Sequence, residues 1–496
     1  LLGDEQDAQY VPSTRHEGKE EERVGMQVGT FVAYLVASAL FIVGIRRLRA
    51  PETARSGNTL AAVGMVIALV ATIFVADIDE ALSGIEILAG VLVGSVIGAV
   101  AAQRVQMTAM PQMVAAFNGV GGATAALVAL SEFYQAEALG THPETVVATV
   151  AVLLSVVIGS VSFSGSIIAF TKLQELALTG SVTFPLQQVV NAIIALVIVG
   201  LAVDVLLGGL LLPPLVSLYL ILASSLLLGV LFVIPIGGAD MPIVISLLNS
   251  FTGIAAAASG FVLDNYALII SGTLVGASGT ILTREMSSAL GRPLSKIIFA
   301  GIAASGTASK GGDDEERPVH DVSAGAVGEY LSDEAQKVVI VPGYGLAVAQ
   351  AQGPMYDLME TLESQGKEVL FGIHPVAGRM PGHMNVLLTE AGVPYDKLYD
   401  LEDINPEFED ADAAIIVGAN DVVNPAANDP EQDTPISGMP ILEVDKADRV
   451  IFVKRSLSPG FAGVDNPLFY DTEKTMMLFS DAKQGLQEIV EAVKNG

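Results

Sequence analysis

Long apolar stretches dominate the chain between residues 28 and 300. Nine can be counted, near residues 28–45, 60–76, 86–103, 112–130, 147–171, 187–208, 214–236, 241–262 and 266–283. Most reach the ~20 residues that an α-helix needs to cross about 30 Å of hydrocarbon at 1.5 Å per residue. We therefore expect residues 28–300 to form a polytopic membrane bundle of about nine transmembrane helices.

Charge is distributed unevenly along the chain. Residues 28–300 contain 9 basic and 13 acidic side chains, whereas residues 301–496 contain 13 basic and 34 acidic ones. A membrane segment followed by an acidic soluble domain fits this division, and a nucleic-acid-binding protein does not, because its surface would be basic. The chain has no cysteine, which excludes disulfides and thiolate metal sites, and we predict no metal. The acidic excess is typical of a halophilic protein, since salt near 1 M shortens the Debye length to about 3 Å.

The basic residues of the apolar region indicate its orientation. With nine spans, all of them fall on the same side of the membrane as the C-terminal domain; they are Arg46, Arg47, Arg49, Arg55, Arg104, Lys172, Arg284, Arg292 and Lys296. The positive-inside rule then predicts a multi-pass protein of the cell membrane with its N-terminus outside and its C-terminal domain in the cytoplasm. Residues 1–27 are polar and acidic, and we interpret them as a flexible external tail.

Polar and small residues inside the apolar stretches suggest packing or a pathway. The polar candidates are Asn118, Ser166, Asn191 and Asn249, with Asp240 at the edge of a stretch. For Asn118 and Asn249, an interhelical hydrogen bond and a place in a proton pathway are equally good interpretations. Glycines spaced by four residues predict close approach of helices; they are Gly90, Gly94 and Gly98, and Gly272 and Gly276. None of the five histidines lies inside an apolar stretch.

The C-terminal third alternates between strand and helix patterns. Residues 301–335, rich in glycine and acidic residues, are interpreted as a flexible linker with a short helix near 324–331. Apolar runs at 337–341, 368–373, 413–417, 449–453 and 475–479, and a weaker one at 397–401, predict strands. Helical stretches lie near 346–366, 383–391 and 481–493. This pattern predicts an α/β domain over residues 336–496, a Rossmann-like, doubly wound parallel sheet.

A glycine loop follows the first predicted strand. Its pattern is G-x-G-x-x-V, in which Gly343 permits the tight turn, Gly345 lets a phosphate approach the backbone, and Val348 replaces the third glycine. Two further loops suit the same ligand. Residues 374–381 form a stiff loop with one cation, and residues 418–425 follow the strand at 413–417, at the edge where such sheets bind ligands. Each of these two loops is also consistent with a simple turn.

The strand ends favour NADP over NAD. NAD-selective domains of this type place an acidic residue after the second strand, but this strand ends in Ile373 and His374. A later strand ends in Lys454, Arg455 and Ser456. Two cations and a hydroxyl suit a 2′-phosphate, through a bidentate arginine and a point-charge lysine.

Six motifs together are far more specific than the glycine loop. They are PGYGLAVAQAQ at 342–352, FGIHPVAGRMPGHMN at 371–385, GANDVVNPAA at 418–427, KRSLSPGFAGVDNPLF at 454–469, MTAMPQMV at 107–114 and GGADMPIVISLLNSFTG at 237–253. With them, the chain resembles the β subunit of proton-translocating NAD(P) transhydrogenase from about residue 28 to its end. The resemblance implies that this chain binds NADP(H) and that a partner α subunit carries the NAD(H) domain, in an (αβ)2 assembly. It implies hydride transfer from NADH to NADP+ coupled to inward proton translocation.

The resemblance also implies roles for individual residues. Lys454 and Arg455 would take the 2′-phosphate, residues 456–461 would begin a lid, and Asp421 would be the catalytic carboxylate linked to proton coupling. The cofactor-binding residues, including those of the glycine loop, would be Gly343, Tyr344, Gly345, Val348, Val376, Ala377, Gly378, Arg379, Met380, Pro381, Gly418, Ala419, Asn420, Asp421, Val422, Gly438, Met439, Lys454, Arg455, Ser456, Phe461, Asp481 and Ala482. The proton path would include Asn118, Ser166, Asp240 and Asn249.

Two positions depart from the family pattern. Phe461 stands where the lid often has a tyrosine, and Asn118 stands where some members have the proton-relay histidine, which the α subunit would then supply. The alternative function is a nucleotide-gated transporter or channel whose Rossmann domain senses nucleotide without catalysis. Such sensing domains commonly have the acidic residue after the second strand that is missing here.

Overall fold

The computed structural model describes most of the chain. The described residues are 14–48, 51–75, 81–106, 109–138, 146–174, 176, 182–237, 240–289, 294–298, 317–378, 382–429, 434, 436–460 and 462–495. Four residues with a predicted role lie outside this set; they are Arg379, Met380, Pro381 and Phe461.

Nine helices among the described residues are long and apolar enough to cross a membrane. They are α1 (Thr14–Arg47), α2 (Pro51–Val75), α3 (Ala81–Arg104), α4 (Met110–Ala138), α5 (Val146–Leu173), α6 (Gln187–Leu206), α7 (Pro214–Val233), α8 (Met241–Val262) and α9 (Tyr266–Ala289). The short helix α10 (Leu294–Ile298) follows them. The predicted membrane bundle is therefore confirmed. Helix α1 begins at Thr14, inside the segment that we expected to be a flexible tail.

The chain divides into two compact units. One contains the described residues within 1–103, 125–156 and 253–276, and the other contains those within 104–124, 157–252 and 277–496. The unit boundaries cut through α4, α5, α8 and α9, so each unit holds part of these helices.

Small residues allow close helix packing in the first unit. A Cβ built on Gly253 would lie 2.5 Å from the Gly276 nitrogen, and one on Gly272 would lie 2.4 Å from the Ala257 nitrogen. Such distances leave room for glycine only, so the predicted close approach at Gly272 and Gly276 is confirmed. At Gly90, Gly94 and Gly98 of α3, no heavy atom of the other described residues lies within 4 Å of a Cβ position, so close approach at these three glycines stays a prediction.

The second unit contains a six-stranded parallel sheet. Its strands are β1 (Lys337–Pro342), β2 (Glu368–Ile373), β3 (Leu398–Asp400), β4 (Ala413–Val417), β5 (Arg449–Lys454) and β6 (Thr475–Phe479), in the order β3-β2-β1-β4-β5-β6. Its helices are α11 (Ala324–Asp333), α12 (Tyr344–Val348), α13 (Gln352–Ser364), α14 (His383–Ala391), α15 (Leu401–Ile404) and α16 (Ala482–Asn495). This order is that of a doubly wound dinucleotide-binding fold, as predicted.

Alternate residues of the central strand pack on opposite faces of the sheet. Val338 and Ile340 join a buried cluster that includes Leu358 of α13 and Leu486 of α16. Val339 joins a second cluster on the other face, which includes Phe452 and Phe469. Helices or turns therefore cover both faces, which is why the strands read as continuous apolar runs.

Two features of this domain differ from the sequence expectation. The helix expected over 346–366 is interrupted between α12 and α13, where Gln350 has a φ of 50°. Within the expected linker 301–335, residues 317–335 are folded. Val322 donates its N–H to the Met477 oxygen of β6 at 2.9 Å, and α11 packs against α16. Residues 301–316 lie outside the described part of the chain.

Candidate functional site

The loops that follow β1 and β4 contact each other through their backbones. These strands are neighbours at the point where the strand order reverses, the usual position of a dinucleotide in such sheets. Gly343 donates its N–H to the Val417 oxygen, and Gly345 donates to the Gly418 oxygen, both at 2.9 Å. A Cβ on Gly343 would lie 2.3 Å from the Gly418 oxygen, so only glycine fits. The Gly345 N–H is thus paired inside the protein, while Val348 is exposed at the end of α12.

His374 occupies the position after β2 where NAD-selective domains have an acidic residue. Its Nδ1 accepts the Val376 N–H at 3.2 Å, so Nε2 carries the proton and donates to the Pro440 oxygen at 2.7 Å. Burial lowers the pKa of His374 to about 4, which keeps the ring neutral at physiological pH. His374 therefore connects the loop with Val376 and the buried Ala377 to the chain that follows Met439. Apart from the missing acid, no sequence pattern indicates this role.

Tyr344 and Gly378 both lie next to His383. The Tyr344 and His383 ring centroids are 6.3 Å apart. Gly378 has a φ of 101°, and a Cβ there would lie 2.5 Å from the His383 Nδ1. The buried imidazole of His383, which was not predicted to have a role, thus brings together two of the predicted residues.

Asp421 lies against the loop that follows β5. Its Oδ2 accepts the Ala462 N–H at 2.9 Å, and a Cβ on Gly460 would lie 2.2 Å from its Oδ1. Only a glycine at 460 lets the backbone approach the carboxylate so closely. The structure therefore brings the predicted lid segment to the predicted catalytic carboxylate.

Two buried asparagines join the loop after β4 to the loop after β5. Asn466 donates from Nδ2 to the Asn420 Oδ1 at 3.2 Å, and Asn424 donates from Nδ2 to the Asp465 oxygen at 3.0 Å. Each also accepts a backbone N–H with its Oδ1, Asn466 from Leu468 at 3.1 Å and Asn424 from Ala426 at 3.0 Å. Neither was singled out from the sequence, although both stand in Asn-Pro pairs, which mark turns.

The predicted phosphate-binding cations lie at the carboxyl end of β5, where Lys454 is its last residue and Arg455 comes next. The Lys454 ammonium lies 4.3 Å from the centroid of the Phe469 ring and donates to the Ser458 oxygen. Burial lowers the pKa of Lys454 to about 8, against the opposing effect of the Asp421 and Asp465 carboxylates. Lys454 is therefore still mainly charged at neutral pH. Arg455 and Ser456 are exposed, and Ser456 donates to the Ser458 hydroxyl at 2.9 Å.

The remaining predicted cofactor residues surround the same edge of the sheet. Gly438, with a φ of 76°, donates its N–H to the Ala427 oxygen at 2.8 Å, and Met439 is buried beside Ala427. Asp481 is exposed and its Oδ1 accepts the Lys483 N–H at 3.0 Å, at the start of α16. Ala482, Ala419 and Val422 pack in the domain core.

A polar cluster is buried among the membrane helices of the second unit. Asn118 of α4 donates from Nδ2 to the Ser166 hydroxyl of α5 at 2.9 Å and to the Ser162 hydroxyl at 3.3 Å. Ser162 also contacts the Thr252 hydroxyl at 2.5 Å and donates to the Leu248 oxygen of α8 at 2.9 Å. The structure thus brings Asn118 and Ser166 together and adds two hydroxyls that were not predicted from the sequence.

The other two residues of the predicted proton path lie elsewhere, on α8 or next to it. Asn249 of α8 is exposed, and Asp240 is partly exposed immediately before Met241, where α8 begins. Asn249 is therefore not part of the buried cluster.

Comparison with known proteins agrees with this architecture. A profile of the family described as NAD(P) transhydrogenase beta subunit matches residues 30–492. The chain belongs to this family. It is 45% identical to the NAD(P) transhydrogenase subunit beta of Rhodospirillum rubrum over 468 residues, which cover 94% of this chain and 99% of the relative, and a second relative of that name, from a strain of the same species, gives the same values.

Membership in the NAD(P) transhydrogenase beta subunit family confirms the resemblance drawn from the six motifs. All six lie within residues 30–492. The chain is thus an oxidoreductase subunit, and the alternative of a nucleotide-gated channel is not favoured.

Proposed function

We propose that this chain binds NADP(H) at the carboxyl edge of its sheet and takes part in hydride transfer from NADH to NADP+, coupled to inward proton translocation. The proposal is supported by the meeting of the loops after β4 and β5, where Asp421 accepts the Ala462 N–H and its carboxylate acts to raise the pKa of Lys454. In that site a cation for the phosphate and a carboxylate linked to proton coupling lie close enough to influence each other.

The described residues fit a phosphorylated dinucleotide in three ways. Lys454 and Arg455 supply positive charge on an otherwise acidic domain, where binding a polyanion requires it. The glycine loops after β1 and β4 pack at the point of strand reversal. Asn420, 7% exposed, has a buried Nδ2 with no hydrogen-bond partner among the described residues, as expected of a donor kept for a ligand.

The chemistry at this site would come from the nicotinamide of NADP(H), which accepts or gives up a hydride when bound. The protein residues position the reactants and exclude water. Lys454 and Arg455 bind the 2′-phosphate, and Tyr344 and the segment 376–381 contact the phosphates and ribose. The lid segment that begins at Ser456 would cover the site through the contacts of Gly460 and Ala462 with Asp421. Protonation of Asp421 would weaken the hydrogen bond from Ala462 and release this cover.

The membrane part would carry the protons. Asn118, Ser166, Ser162 and Thr252 offer a continuous set of polar groups, and we keep Asp240 and Asn249 as proposed path residues outside this set. Among the described residues, no histidine lies within the nine apolar spans, so we propose that the partner supplies the relay imidazole.

We further propose a partner α subunit that carries the NAD(H) domain, in an (αβ)2 assembly. The N-terminus would lie outside and the nucleotide domain in the cytoplasm, since the nine basic residues of 28–300 fall on that side. The acidic surface would suit a halophilic cytoplasm.

Co-expression with the α subunit tests the catalytic part of this proposal. NADH-dependent reduction of NADP+ should appear only when both subunits are present, and it should be lost when both Lys454 and Arg455 are replaced by Gln. Undiminished turnover in that double variant would refute the assigned phosphate site, and turnover by this chain alone would refute the division of cofactors between subunits.

A further inference from the structure

The orientation of the Asn466 amide is determined by a backbone donor. The Leu468 N–H can only donate, so the atom that it meets at 3.1 Å must be the Asn466 Oδ1. The Nδ2 of the same amide then points to Asn420, across the gap between the loops that follow β5 and β4. Asn466 is completely buried, so water does not compete for these groups.

The orientation of Asn420 follows from that of Asn466. Because Asn466 presents a donor, Asn420 must present its acceptor Oδ1, and the distance of 3.2 Å agrees. The Asn420 Nδ2 is then left as a donor, and it has no hydrogen-bond partner among the described residues. A buried donor without a partner is unfavourable, and a ligand acceptor at this position would remove that cost.

The charge of the neighbouring residue selects the kind of acceptor. Asp421 follows Asn420 directly, and its carboxylate would repel a phosphate placed beside the Asn420 amide. A neutral carbonyl oxygen attached to a positively charged ring suits an amide donor next to a carboxylate. In NADP+ that group is the carboxamide of the nicotinamide.

We infer that Asn466 is a positioning residue that holds Asn420 with its Nδ2 toward the carboxamide carbonyl oxygen of bound NADP+. This inference rests on the proposed NADP(H) site. Asn420 is then the residue that donates to the carbonyl oxygen. The Leu468 backbone N–H determines this indirectly, because it fixes the orientation of the Asn466 amide and hence that of the Asn420 amide.

The inference is tested by reversing this polarity. In Asn466→Asp, the introduced carboxylate still accepts the Leu468 N–H but can no longer donate to Asn420. The Asn420 amide then turns its Nδ2 toward that carboxylate and presents Oδ1 to the ligand. The NADP+ carboxamide can rotate and donate its NH2 group to this Oδ1. The acetyl group of the 3-acetylpyridine analogue of NADP+ has no donor and cannot form this hydrogen bond.

Calorimetric titration of the full chain in detergent with these two compounds gives the readout. The wild type should bind both with Kd values within about threefold, since both offer a carbonyl acceptor. In Asn466→Asp the ratio of the analogue Kd to the NADP+ Kd should rise about tenfold, as expected for one unpaired buried polar group. Asn420→Asp should produce the same change in the Kd ratio. This variant tests the inference if Asn466→Asp does not fold.

Asn424→Asp is the matched control. Asn424 is also completely buried in an Asn-Pro pair, but its Nδ2 donates to a backbone oxygen, so no second amide depends on it. This variant should weaken both compounds equally and leave the Kd ratio as in the wild type.

The other results would overturn the inference. An unchanged ratio in folded Asn466→Asp and Asn420→Asp would show that the amide pair only joins the loops. If the wild type already bound the analogue more than about tenfold more weakly than NADP+, the Asn420 amide would face the ligand with its acceptor Oδ1 and not with Nδ2. Binding of neither compound by the wild type would refute the proposed NADP(H) site as well.

Discussion

Asp421 and Ala462 are joined by a hydrogen bond of 2.9 Å from the backbone N–H of Ala462 to the carboxylate Oδ2, which connects the loop after β4 to the loop after β5. The carboxylate is also in contact with Gly460, where a Cβ would lie 2.2 Å from Oδ1. A change in the charge of Asp421 would therefore directly change its contacts with Gly460 and Ala462, in the segment that we propose as a cover.

Gly460→Ala should separate the cover from the carboxylate. The added methyl group cannot fit beside the Asp421 Oδ1 as it lies here, so either the carboxylate or the backbone at Gly460 must move, and the Ala462 hydrogen bond to Oδ2 is lost. We expect NADP+ affinity to fall about tenfold, as for loss of a charge-assisted hydrogen bond. Calorimetric titration measures the affinity. Gly353→Ala is the control, because no heavy atom of another part of the described chain lies within 4 Å of its Cβ position. Unchanged NADP+ binding by Gly460→Ala would contradict the proposed cover.

Lys454 should make NADP+ binding depend on pH. Burial lowers its pKa to about 8, and a bound 2′-phosphate needs the protonated form. NADP+ affinity should therefore be constant below about pH 8 and fall above it, by up to tenfold per pH unit until the pKa in the complex is passed. Lys454→Gln should bind NADP+ at least about tenfold more weakly and without this decline. The measurement is titration of both proteins with NADP+ from about pH 6.5 to about pH 10. The same dependence of affinity on pH in the wild type and in Lys454→Gln would contradict the assignment.

His374 should affect stability and not proton transfer. Its pKa is about 4 in the folded state against 6.5 for an unperturbed histidine, so the unfolded state binds more protons between these values. Protonation of His374 therefore leaves the free energy of unfolding unchanged above about pH 6.5. It lowers the free energy of unfolding by up to about 3 kcal/mol as the pH falls toward about 4. The difference in unfolding temperature between the wild type and His374→Gln should change over this range. A difference independent of pH would show that the imidazole is not held neutral.

Asn118→Ala should impair proton translocation more than hydride transfer. The substitution removes the donor to Ser166 and Ser162 at the centre of the buried cluster, far along the chain from the nucleotide domain. We expect a lower ratio of protons moved to NADPH formed in vesicles that contain both subunits. Ser225→Ala is the control, because this buried hydroxyl of α7 has no hydrogen-bond partner among the described residues. Equal ratios in both variants would remove Asn118 from the path.

The sequence was sufficient for most of the fold because burial leaves a simple pattern. The strands β2, β4 and β6 were predicted with their observed bounds, since strands buried on both faces are continuous apolar runs. The break between α12 and α13 was missed because Gln350 adopts a left-handed backbone conformation, which is uncommon for residues other than glycine and which a glutamine in the sequence does not predict.

The candidate site was predicted less completely. Lys454 and the glycine loop follow strand ends and could be found by position. The roles of His374, His383 and Asn466 depend on contacts between segments far apart in the chain, such as that from His374 to Pro440. No local pattern contains such a pairing, so only the folded structure identifies it.

The most direct test of the account is the internal pH of vesicles that contain both subunits with the nucleotide domain facing outward. When NADH and NADP+ are added outside, the lumen should become more alkaline as NADPH forms, because protons leave it toward the nucleotide-domain side. Normal NADPH formation with an unchanged internal pH would contradict proton-coupled transhydrogenation.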